Sequence, residues 1–293
     1  MFDVGNRALV FGGAYGNLQA TEAILKCARE LGFSPDQIIF TGDSAAYCGQ
    51  PSQTVQLIRD TGIHVIMGNC EESLAQDADD CGCGFDEGTE CDLLSAEWYR
   101  FCKNALDAEA KEWMRRLPKS VLFKVGDSRL QCFHGTPAAI NQFVFSSNIK
   151  NRDIDLQPDV NVDGYLVGHS GIPFLAEIGG KAWINSGAAG MPANDGTPRV
   201  WFSILESKNG ELIVQTHPLE YDHKAAAEAM AEAGLENGYR DCLYSGIWPS
   251  HDVLPQFERL TTGKPLAPST MIYRPNCAMI TNPLIHQTEL AVS

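Results

Sequence analysis

Three short apolar runs near the N-terminus each stop at a glycine, and that pattern limits what the chain can build. Ala8-Leu9-Val10-Phe11 ends in Gly12-Gly13, Gln37-Ile38-Ile39-Phe40 is closed by Gly42-Asp43, and His64-Val65-Ile66-Met67 stops at Gly68-Asn69. Between the first two runs, Leu18, Thr21, Ile24, Leu25, Ala28 and Leu31 share one face at helical spacing, and Gly32 ends the pattern. A second helical segment around Thr54 to Asp60 leads through Gly62 into the third run. Short buried strands alternating with helices predict βαβ units and a largely parallel sheet, because parallel neighbours need a crossover that returns the chain. The carboxyl ends of such strands carry the site, and Gly12, Asp43 and Asn69 fall there.

The segment from about residue 71 to 104 is rich in Asp, Glu, Gly and Cys and interrupts this alternation. It reads as an insertion over the working edge of the sheet, followed by an amphipathic helix near Asp107 to Leu117. From Ser120 the pattern turns to hairpins: Val121 to Val125 and Arg129 to Phe133 flank Gly126-Asp127, and Arg199 to Glu206 and Glu211 to His217 flank Asn209-Gly210. Two further runs end in potential ligands, Cys132-Phe133 before His134 and Leu166-Val167-Gly168 before His169. The expected division is a main domain over 1–222 and a helical or irregular appendage over 223–293.

With 293 residues, 44% of them hydrophobic, the chain is long enough for a substantial core. Its formal charge of −15 argues against a nucleic-acid polymer as partner, since such affinity rests on clustered Lys and Arg. Neither a basic, apolar start nor a membrane-length apolar run is present in the sequence, so the expected location is the cytoplasm, with no membrane contact. Most of the ten cysteines sit at apolar positions and read as reduced core thiols. Cys81, Cys83 and Cys91 cluster in the acidic segment and are read chiefly as free thiols, with thiolate metal binding the next choice and a disulfide after it.

Asp43, Asn69, His134 and His169 each follow an apolar strand and each adjoin a glycine that permits a tight turn. Any one of them alone is more simply a cap, a turn or a core histidine. Together, a carboxylate, an amide oxygen and two imidazoles suit zinc, manganese or iron. Gly12 to Asn17 follows a strand and opens a helix, so its amides are a second candidate, for a phosphate; the dinucleotide fingerprint is not met.

Thr41-Gly42-Asp43, Gly68-Asn69-Cys70-Glu71, Phe133-His134-Gly135-Thr136-Pro137, Val167-Gly168-His169-Ser170-Gly171 and Ile184-Asn185-Ser186-Gly187 occur in an order and spacing that resembles the calcineurin-like metallophosphoesterases, particularly their small phosphodiesterase branch, over about residues 7 to 218. The resemblance implies a four-layer α/β/β/α sandwich with mixed sheets. It also implies that Asp43, Asn69, His134 and His169 hold one divalent ion, and that Cys70 stands where the family places its catalytic histidine. The departures concern the other metal. Where the family has Asp-x-His, this chain has Gly13-Ala14-Tyr15, and where it has Gly-His-x-His, this chain has Gly168-His169-Ser170-Gly171. Loss of every ligand exclusive to one site, with every ligand of the other kept, points to a single-metal centre.

The expected activity is metal-dependent hydrolysis of a small phosphorylated substrate, a phosphodiester or nucleotide-like compound, with manganese, iron or zinc as the ion. A catalytically silent binding or regulatory protein on the same fold, and a non-haem iron redox protein, are the competing readings. A homo-oligomer is compatible with all three.

Overall fold

The computed structural model describes residues 1–151 and 161–275. Two six-stranded mixed sheets form its centre. In chain numbering the first runs Phe2–Asp3, Ser120–Val125, Ser128–Phe133, Gly164–Val167, Lys181–Asn185, Phe174–Ile178 from edge to edge. The second runs Thr270–Tyr273, Glu211–Leu219, Val200–Lys208, Arg7–Phe11, Ile38–Phe40, His64–Val65.

The N-terminal alternation folds as expected. Arg7–Phe11, Ile38–Phe40 and His64–Val65 pair in parallel, with helices Leu18–Glu30 and Pro51–Thr61 as crossovers. Arg7–Phe11 and Ile38–Phe40 are largely buried on both faces, which is why they read as continuous apolar runs, whereas His64–Val65 is a half-buried edge. Ala8 and Val10 point into the space between the sheets with Phe123, Leu166, Leu205 and Val214, whereas Leu9 and Phe11 point outward against Ile24, Ala28 and Ile58 of the helices. On the far side of the first sheet, Tyr165, Val167 and Trp183 meet Ile149 of the helix Ser146–Asn151. The result is the four-layer sandwich with helices outside both sheets.

Both hairpins form at the expected turns, with Val125 opposite Ser128 and Lys208 opposite Glu211. Asn209 and Gly210 both have positive φ, which matches the right-handed twist of the strands they join. The second half is less antiparallel than expected, because Ser128–Phe133, Gly164–Val167 and Lys181–Asn185 are parallel neighbours.

Two regions differ from expectation. The acidic insertion contains helices Asn69–Gln76 and Glu90–Ala105, and the second buries Trp98, Tyr99 and Cys102. The residues after Asp222 are integrated with the main body rather than hung from it. Helices His223–Glu232 and Gly238–Ser245 share a core with the insertion through Met230, Tyr239 and Cys242, and Thr270–Tyr273 adds an edge strand to the second sheet. The remainder of the expected 223–293 segment, past residue 275, lies outside the described residues. Among the described residues, no helix is long and apolar enough to cross a membrane.

Candidate metal centre

Asp43 and Asn69 come from strand ends of the second sheet, His134 and His169 from strand ends of the first, and the sandwich brings them together at one edge. Ligand-capable atoms of Asp43, His134 and His169 all lie within 4.8 Å of one another. His134 Nε2 is 3.0 Å from Asp43 Oδ2, and the two histidine rings meet edge to face at 5.2 Å. Asp43 and His169 have φ of 67° and 58°. Left-handed backbone costs a non-glycine residue roughly 1–2 kcal/mol, so the surrounding contacts must hold both turns in place.

Those contacts are specific. His134 Nδ1 donates to the carbonyl of Thr41 at 2.6 Å, which fixes the tautomer and leaves Nε2 facing the centre. Asn69 donates its Nδ2 to Cys81 O at 3.1 Å and to Cys83 Sγ at 3.4 Å, so its Oδ1 is turned the other way. The backbone N–H of Cys70 donates to Asp43 Oδ1 at 3.1 Å. Gly68 must lack a side chain because a Cβ there would sit 2.2 Å from Asp43 Oδ1.

Glu71, fully buried, is the residue that the sequence reading passed over. Its Oε2 accepts from Asp43 N at 2.7 Å and Gly68 N at 2.8 Å; its Oε1 accepts from Ser44 N at 2.5 Å and Ser44 Oγ at 2.6 Å. One carboxylate thus ties the Asp43 turn to the Gly68-Asn69 turn. The available signal was its place three residues after Gly68 at the start of a helix, where a Glu side chain reaches back to the N-cap amide.

The electrostatics follow the geometry. Burial alone would push the Asp43 carboxyl up, but His134, His169 and the Cys70 amide outweigh it and hold the acid ionised, below its ordinary range. His134 is the mirror case: burial would lower it, yet Asp43 holds its pKa above the usual imidazole value. His169 drops to about 3 through burial and the neighbouring His134, so its ring stays neutral.

Asn69 Oδ1 and His169 Nε2 are buried and have no hydrogen-bond partner, and His134 Nε2 faces the Asp43 carboxylate alone. Leaving a buried polar atom unpaired costs about 1–3 kcal/mol, and native structures rarely do so without a reason. With the Asp43 carboxylate they make an N₂O₂ donor set, which fits a divalent transition ion.

The opposite side of the centre is built differently. A Cβ added to Gly13 would lie 2.2 Å from the Tyr15 ring and 2.6 Å from its hydroxyl, and one added to Gly171 would meet the Trp248 ring at 3.3 Å. Tyr15, at φ 53°, folds its ring back over Gly13. Aromatic carbon therefore fills space that acidic or imidazole side chains at 13 and 171 would need.

Three expectations meet the structure here. Cys70, the catalytic candidate, is buried in an apolar cluster with Leu74 and Trp98, and burial with the nearby Asp43 and Glu71 pushes its thiol well above the usual value. It is thereby kept protonated, and its visible contribution is the backbone amide. Cys81 and Cys83 form a disulfide, closed across Gly82 at φ 61°, while Cys91 is a buried free thiol. The Gly12–Asn17 loop is no phosphate cradle, because Tyr15, Gly16 and Asn17 spend their amides on the carbonyls of Asp43, Ser44 and Ala14.

Residues 14–210 match the model of the calcineurin-like phosphoesterase superfamily domain. An uncharacterized protein of Methanocaldococcus jannaschii is 24% identical over 256 residues, covering 81% of this chain and 97% of that protein. A crystal structure of a metallophosphoesterase from Sphaerobacter thermophilus superposes with a TM-score of 0.62 at 23% identity, over 83% of this chain and all of that one. A hypothetical protein from Pyrococcus horikoshii gives 0.68 at 19% identity, over 84% and 99%. The chain belongs to the calcineurin-like phosphoesterase superfamily.

Proposed function

We propose that this protein hydrolyses small phosphate esters, diesters before other classes, at a centre with one divalent transition ion held by Asp43, Asn69, His134 and His169. The observation that carries the reading is the contrast inside the site: two buried polar atoms without partners beside a buried Asp43–His134 pair on one side, aromatic rings packed against glycine on the other. A divalent ion in such a set supplies Lewis acidity toward a phosphoryl oxygen and lowers the pKa of bound water, whichever of manganese, iron or zinc it is.

The chain's own residues do the rest. Asp43 brings one negative charge, and the two neutral imidazoles bring none. Thr41 sets the tautomer of His134, and Glu71 locks the two turns that present Asp43 and Asn69. Residues of the insertion and of the segment after Asp222 act together as a cover over this edge, a role supported by their shared core.

Loading the purified protein with manganese and following release of 4-nitrophenolate from bis(4-nitrophenyl) phosphate tests the reading. Turnover that disappears in His134→Ala and His169→Ala is the expected result. A manganese-bound protein without turnover would instead be a binding protein on a phosphoesterase fold.

A further inference from the structure

Beside the centre lies a cavity of about 60 Å³ whose walls include Tyr15, Tyr47, Phe143, His169, Tyr239 and Trp248. We propose that it holds a small, uncharged, apolar organic group of a monoanionic phosphate ester, and that Trp248 sets the size limit. This inference rests on the metal reading above and narrows it to a substrate class.

The cavity borders the centre at His169, which lines it and whose ring stacks at a tilt on Phe143 with centroids 4.2 Å apart. A phosphoryl group at the metal therefore places one of its ester substituents against aromatic carbon. Among the described residues, no Lys or Arg lines the cavity, and no Asp or Glu lines it either.

Charge then selects the substrate. A divalent ion beside the buried Asp43 and Glu71 carboxylates leaves little net positive charge, so a diester monoanion costs less here than a dianion. A monoester dianion or a polyphosphate brings a further negative charge into a low-dielectric wall with nothing to pair it. The chain's formal charge of −15 works in the same direction.

Size narrows the class again. The volume suits a short alkyl group and is well below the ~150 Å³ of a cavity that takes benzene. Trp248 is a fixed wall: its backbone N donates to Asn194 Oδ1 at 2.9 Å and its Nε1 to Pro192 O at 2.7 Å. The indole faces Gly171, one of the positions where the family pattern has a ligand. The aromatic residue that stands on the vacated side is thus the one that limits the substrate.

Calorimetric titration of the manganese-loaded protein with three non-hydrolysed probes at pH 8 tests this: ethyl methylphosphonate, methylphosphonate dianion and phenyl methylphosphonate. Wild type should bind the ethyl ester at least tenfold more tightly than either other probe. Trp248→Ala should raise the affinity for the phenyl ester relative to the ethyl ester at least tenfold, and Val253→Ala, a milder change in the same wall, should move the ratio in the same direction. Equal affinity for dianion and monoanion, or an unchanged phenyl-to-ethyl ratio in the variant that folds, with manganese content kept, overturns the proposal alone. A protein that takes up no manganese overturns the metal reading and this inference together.

Discussion

The two sides of the centre solve opposite packing problems. On the side of Asp43, Asn69, His134 and His169, the fold withholds partners from buried polar atoms and accepts the cost. On the side of Gly13 and Gly171, it removes polar side chains and covers the backbone with Tyr15 and Trp248. A site in general decay would show neither, since orphaned donors and acceptors are expensive and would be replaced or hydrated. The difference is what the proposed single-ion centre requires: one half kept for ligands, the other filled by aromatic carbon.

The largest way to break that comparison is to remove a surviving ligand. His134→Ala should abolish metal retention and, by leaving Asp43 as a buried charge without its partner, destabilise the metal-free protein by about 3–5 kcal/mol; elemental analysis and urea unfolding read the two effects. His169→Ala should lose the metal with a smaller loss of stability, since its ring is neutral and pairs with no charge.

Glu71→Ala should cost about 3 kcal/mol in urea unfolding, because it strands four donors around Asp43, Ser44 and Gly68. Glu71→Gln, which keeps the shape but can only accept on one atom, should cost less and still weaken metal binding. Equal stability of wild type and Glu71→Ala would remove this residue from the description of the site.

The third effect is one of pH. His134 must be neutral to ligate, yet Asp43 raises its pKa, so the proton competes with the metal as pH falls. Manganese affinity should weaken by about tenfold, or ~1.4 kcal/mol, between pH 8 and pH 6. His169, at about 3, contributes nothing to that window. The metal-free protein should show the opposite sign: the stabilisation from charged His134 is complete below the unfolded value near 6.5 and fades as pH rises through the higher folded value. Manganese titrations and urea midpoints at several pH values check both slopes.

Smallest of all is Tyr15→Phe. The ring that covers Gly13 stays in place, so metal stoichiometry should not change; a drop would make the Tyr15 hydroxyl a ligand and dissolve the contrast between the two sides.

Much of this was legible in the residues. The four proposed ligands stood out because each closes an apolar strand beside a glycine, and strand ends are where a sheet presents side chains. The hairpins were legible because Gly126-Asp127 and Asn209-Gly210 are turn chemistry with a local cause. What escaped depended on backbone states or distant contacts. Tyr15 in a left-handed conformation over Gly13 is not encoded by any local preference of tyrosine. Trp248 meets Gly171 from far along the chain, the Cys81–Cys83 bridge depends on the turn at Gly82, and Thr270–Tyr273 is too short to announce itself as an edge strand. Glu71 was visible in a recognisable motif, but its four bonds appear only when two strand ends are side by side.

The central claim is the count of ions. After loading with excess manganese and desalting, mass spectrometric metal analysis against protein concentration should give a ratio near one per chain, falling toward zero in His134→Ala. A ratio near two in the wild type would contradict the account, because it would require ligands on the side that Tyr15 and Trp248 fill.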